Sequence, residues 1–134
     1  MNQTRTIADT TSIGLSALCI VHCLALPVLA TVVPSVLALP LADEAFHLWL
    51  VCAVIPISAY ALTMGCKQHG RHRVWILGVV GIAILVAAAL GGEALGETLE
   101  RGFTVLGASI VAAGHYWNYR LCRTDNCDDC HTET

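Results

Sequence analysis

The chain has 134 residues, of which 56 % are hydrophobic and 13 % charged, with a formal net charge of −3. Its mean hydropathy is +0.68. A soluble domain carries about 25 % charged residues to cover its surface, so a soluble globule and a disordered chain are both excluded. The lack of a dense basic tract excludes nucleic acid as a partner. What remains is a small integral membrane protein, with lipid as its first partner.

A spanning helix needs about 20 apolar residues, and four stretches meet or approach that length: 12–39, 46–64, 74–90 and 103–121. The first contains no Asp, Glu, Lys or Arg. It is too long for the apolar core of a signal peptide, and we read it as a retained helix. Pro27 and Pro34 lie inside it, each removing a backbone donor, and are expected to bend it. The runs are continuous and lack the alternation of barrel strands. Short separators make sequence neighbours antiparallel. The expected architecture is an all-α, four-helix up-down membrane bundle over 1–121, followed by a Cys/His-rich tail over 122–134. Arg5, Lys67, Arg71, Arg73, Arg120 and Arg123 fall on one side of such a bundle and only Arg101 on the other. The excess of basic residues predicts that both termini and the middle loop are cytoplasmic. Gly78 and Gly81 in the third span, and Gly107, Ala108, Ala112 and Gly114 in the fourth, suit close helix packing.

Seven cysteines fall in three groups: Cys19 with Cys23, Cys52 with Cys66, and Cys122 with Cys127 and Cys130. In the cytoplasmic half of a bundle they are expected to be thiols, not structural disulfides. Cys19-Ile20-Val21-His22-Cys23 is the sharpest signal. Residues 19 and 23 share a helix face, and two thiols one turn apart, with an imidazole beside them, can pinch a soft cation. The same face continues through Ser12, Ser16 and Pro27. In the fourth span His115, Asn118 and Cys122 form a second polar stripe. Counted from the expected helix ends, His22 and His115 differ in depth by only about 6 Å, so a site of Cys19, His22, Cys23 and His115 is expected between the first and fourth helices. Cys122, Cys127, Cys130 and His131 give the tail soft-cation ligands of its own. Two packed cysteines and histidines bonded across helices account for the same residues without an ion. No catalytic triad, phosphate loop or di-iron motif is present, so an enzyme is not expected.

Ile7-Ala8-Asp9, the Cys19/Cys23 pair, the basic loop from Lys67 to Arg73, Gly114-His115 with Asn118, and the Cys122/Cys127 pair together resemble the MerC family over nearly the whole chain. The resemblance implies an inner-membrane four-helix protein of bacterial mercury resistance that carries mercuric ion into the cytoplasm. Cys19 and Cys23 would then be the intramembrane thiols, and Cys122 and Cys127 the cytoplasmic pair. The dedicated mercury carriers hold the first-span cysteines three apart; here they are four apart, with His22 between. Added imidazole favours zinc or copper over strictly two-thiol mercury. The expected partners are an outer metal donor, a cytoplasmic acceptor and a second copy of the chain, with no organic cofactor. Two rival readings are a haem-binding or redox protein with His22 and His115 as axial ligands, and an accessory subunit with no ion.

Overall fold

The computed structural model describes residues 3–33 and 44–128. They form four helices: α1 (Gln3–Val32), α2 (Glu44–His69), α3 (His72–Leu95) and α4 (Glu97–Asp128). The all-α bundle expected from the apolar runs is the observed fold. Several boundaries differ. α1 begins nine residues before the expected start at 12 and ends at Val32, not 39. It continues through Pro27, while Pro34 lies outside the described residues. α4 continues to Asp128, so positions 122–128 of the expected tail are helical.

The turns are shorter than the polar separators suggested. Gly70 closes α2 and Gly96 closes α3, with φ of 64° and 78°. A left-handed residue is how a helix commonly ends, and glycine reaches that conformation without a Cβ clash. Arg71 alone follows Gly70 before α3 starts, and Gly96 leads directly into α4. Glu97 and Glu100 stand in the first turn of α4, where the helix dipole favours negative charge.

α4 packs against all three other helices, most extensively α3 and then α1, while α1 and α3 have little contact. The α3–α4 contact reaches the backbone. A Cβ on Gly81 would lie 2.8 Å from Val111 Cγ2 and 3.1 Å from the Gly107 carbonyl oxygen. One on Gly107 would lie 3.0 Å from the Gly81 carbonyl oxygen. The small residues picked out in the third and fourth spans therefore set the distance between the helices.

Polarity is distributed inside out. Asp9, Ser12, Ser16, Ser58, His115 and Asn118 are buried, while Leu18, Val21, Leu24, Trp49, Ile76, Val79, Leu90 and Leu106 are exposed. Such a surface is stable against lipid, not water. Three stretches are long and apolar enough to cross a membrane: Thr6–Leu29, Leu48–Gly65 and His72–Gly91. The chain is thus a multi-pass membrane bundle. α4, counted as a span in the sequence, is not among the three. Its lower hydropathy comes partly from Thr104, His115 and Asn118, which are buried, while Phe103, Leu106 and Trp117 point outward.

Candidate functional site

The seam predicted on α1 faces the interior. Ser12, Ser16, Cys19 and Cys23 are all buried, and their 4-3-4 spacing extends by a step of three toward the N-terminus to Asp9, which is 1 % exposed. Asp9 is the centre of a polar cluster that joins three helices. Its Oδ1 lies 2.7 Å from His115 Nδ1. Asn118 Nδ2 donates to both carboxylate oxygens, at 3.1 and 2.9 Å, and to the Ala61 carbonyl at 3.3 Å. His115 Nε2 lies 2.9 Å from the Ser58 hydroxyl. A carboxylate can only accept, so the His115 proton facing Asp9 sits on Nδ1, and a neutral ring then accepts the Ser58 O–H at Nε2. Gly65 makes room for this arrangement, because a Cβ there would collide with the Asn118 amide.

The structure separates His115 from the thiol pair. Asp9 marks the level of His115 on α1, and Cys19 and His22 lie ten and thirteen residues further along, about 15 and 20 Å at the helical rise. The site expected from Cys19, His22, Cys23 and His115 together is not formed. The reason is register. With Asp9 level with His115, His22 lies about 20 Å from it along the bundle and not about 6 Å, an offset of about 14 Å from the alignment that sequence counting implies. The same offset removes the facing histidines that axial haem ligation needs. It also moves Cys19 and Cys23 past the midpoint of Thr6–Leu29, into the half of the span away from the basic turn.

Cys19 and Cys23 are hydrogen-bonded to one another through their side chains. They pack in an apolar chamber with Leu50, Val51 and Val54 of α2, Leu85 of α3, and Ala108 and Val111 of α4. His22 is half-buried, and its ring lies against Phe46 with centroids 4.7 Å apart. Between the thiols and Asp9, the hydroxyls of Ser12 and Ser16 are buried and make no hydrogen bond among the described residues. Beyond Asn118, one turn further along α4, Cys122 is buried at 3 % exposure. Buried thiols thus stand at the two ends of one polar seam, about 25 Å apart along the bundle. Cys52 is exposed. Cys127 is described only as a position on α4, and Cys130 lies outside the described residues, as does His131. Cys19, Cys23, Cys52 and Cys122 are thiols, not disulfides. No group of three or more His, Cys, Asp or Glu side chains among the described residues is arranged to hold a metal ion.

A family model described as MerC mercury resistance protein matches residues 9–120. The chain belongs to the MerC family. The matched segment opens on Asp9 and closes just after Asn118, so it encloses both ends of the buried cluster. No curated protein and no solved structure matches this MerC chain. Membership places it among transport and accessory proteins, not enzymes.

Asp9 and Ser58 were the residues missed in the sequence. For Asp9 a signal was present: it continues the Ser12–Ser16–Cys19–Cys23 face by one step, and no other residue of 3–33 is acidic. Ser58 offered none, since a lone serine in an apolar span is common packing material.

Proposed function

We propose that this MerC protein transfers a soft divalent cation, with mercuric ion as cargo, across a bacterial inner membrane. The observation that carries the reading is the Cys19/Cys23 pair, buried and mutually hydrogen-bonded at one end of a polar seam that reaches Cys122. The chamber around the pair is apolar, and burying net charge there is costly. A divalent cation bound by two thiolates is neutral and escapes that cost. A monovalent soft ion on the same two thiolates leaves a net negative charge. The chamber therefore favours a divalent thiophilic ion with few ligands, and His22 offers a neutral third ligand for zinc. Binding displaces the thiol protons.

In this reading α4 is the fourth crossing, both termini lie in the cytoplasm beside the basic α2–α3 turn, and Cys19/Cys23 face the outer half. An outer donor loads the pair. The ion then passes by stepwise ligand exchange, with the oxygen and nitrogen groups of Ser16, Ser12, Asp9 and His115 as ligands along the seam, to Cys122, Cys127 and Cys130 and a cytoplasmic acceptor. The test is uptake of radiolabelled mercuric ion by proteoliposomes under anaerobic conditions. Wild type and Cys52→Ser should load the vesicles above protein-free controls, and Cys19→Ser/Cys23→Ser should not. Uptake that is unchanged in the double variant would remove the thiol pair from the path.

A further inference from the structure

A cavity lies away from the thiols. It opens between the start of α3 and the last turns of α4, with a volume of about 920 Å³. Its rim carries Arg71, Arg73 and Arg120, with Leu121 at the same level, and its floor is apolar, with Leu77 and Trp117. None of the described lining residues is acidic; Asp125 and Asp128 stand further along α4, past Leu121. Arg120 is held at the rim by its own helix. Its Nη1 donates to the Tyr116 hydroxyl at 3.1 Å, and its guanidinium carbon lies 5.9 Å from the centre of the Tyr116 ring. A smaller neighbouring cavity shares His72 and adds Lys67 and Trp75.

The depth of this cavity says what it suits. The apolar stretch of α3 begins at His72, so the arginine rim lies at the edge of the membrane slab. Leu77 is five residues further in, about 8 Å at the helical rise. Trp75, Tyr116 and Trp117 are exposed around the same level, as expected of a membrane interface. Guanidinium groups match phosphate oxygens in pairs, and basic pockets between membrane helices suit anionic headgroups. We propose that this cavity binds an anionic phospholipid, with its phosphate among Arg71, Arg73 and Arg120 and its acyl chain along Leu77 and Trp117. A free phosphate would use the rim but not the floor. The proposal is independent of metal transfer.

The test uses the full chain with Trp49→Phe and Trp75→Phe, so that Trp117 is the sole tryptophan. The protein is reconstituted in phosphatidylcholine vesicles in which either a minor phosphatidylglycerol component or an equal share of the phosphatidylcholine is brominated. Trp117 quenching should report at least fivefold enrichment of phosphatidylglycerol over phosphatidylcholine, since each basic residue near an anionic lipid is worth roughly fivefold. Substituting all three arginines by Gln should bring the ratio close to one, substituting them by Lys should keep most of it, and Arg101→Gln at the opposite end should leave it unchanged. Circular dichroism checks that the helices persist in each. Equal quenching by the two lipids in the wild-type rim overturns the proposal, as does enrichment that survives the three Gln substitutions. Enrichment abolished by millimolar inorganic phosphate also overturns it, by assigning the rim to a soluble anion.

Discussion

Asp9 carries the largest consequence of any single side chain in the bundle. It sits 1 % exposed among the first turns of α1, and its oxygens take contacts from both His115 and Asn118. A buried group left without its partner costs far more than the bond itself is worth. His115→Ala should therefore destabilise the protein by about 3 kcal/mol, read as a lower unfolding midpoint in detergent. Exchanging the partners, Asp9→Asn with Asn118→Asp, restores one carboxylate and one amide. The double variant should recover about 1 kcal/mol or more relative to the sum of the single changes. The thiols behave differently. Cys19→Ser/Cys23→Ser keeps the shape of the core around the pair, so its stability should change little while one equivalent of mercuric binding is lost and that of the C-terminal thiols remains. Equilibrium dialysis against a competing thiol measures that directly.

At the scale of whole helices, the α3–α4 contact is the tightest part of the fold. Gly81→Ala puts a methyl group 3.0 Å from the Val111 backbone nitrogen, a position that no rotamer change relieves. We expect a loss of about 1–3 kcal/mol from the forced separation of the helices. Gly14→Ala is the control, because a Cβ there meets nothing within 4 Å. Replacing glycine inside a helix should be neutral or stabilise by up to about 1 kcal/mol. Thermal unfolding of the two variants side by side separates packing from helix propensity. In the four-crossing reading, α4 is the helix that average hydropathy undercounts. Its polar residues lie against neighbours that satisfy them, and an average over the helix cannot tell an inward His115 from an outward one.

At the scale of the molecule, four crossings and the basic α2–α3 turn predict that both chain ends face the cytoplasm. Reporter fusions at Thr134 and at the α3–α4 turn should give opposite results. A matching result at the two positions would mean that α4 lies on the membrane and does not cross it. The directional reading of transfer depends on this outcome, since it makes Cys19/Cys23 the outer thiols and Cys122 the inner one.

Much of this was legible in the sequence because it is local. Continuous apolar runs require a membrane and helices, short separators require antiparallel neighbours, and the spacing of Cys19 and Cys23 places them on one face whatever surrounds them. The register between helices is not local. Asp9 meets His115 across 106 residues of sequence, and the polar run before residue 12 reads as a flanking segment until a buried imidazole and amide are there to receive the carboxylate. That one pairing slides α1 along α4 and sends the thiol pair to the far half of the span. It also replaces the expected four-ligand site with a thiol pair packed in the apolar core and a separate polar cluster. Composition and spacing determined what the chain is made to cross and which residues can bind a soft ion. Only the tertiary structure decided which of them meet, because interhelical hydrogen bonds in a low-dielectric interior outweigh the weak preferences that set where a helix begins.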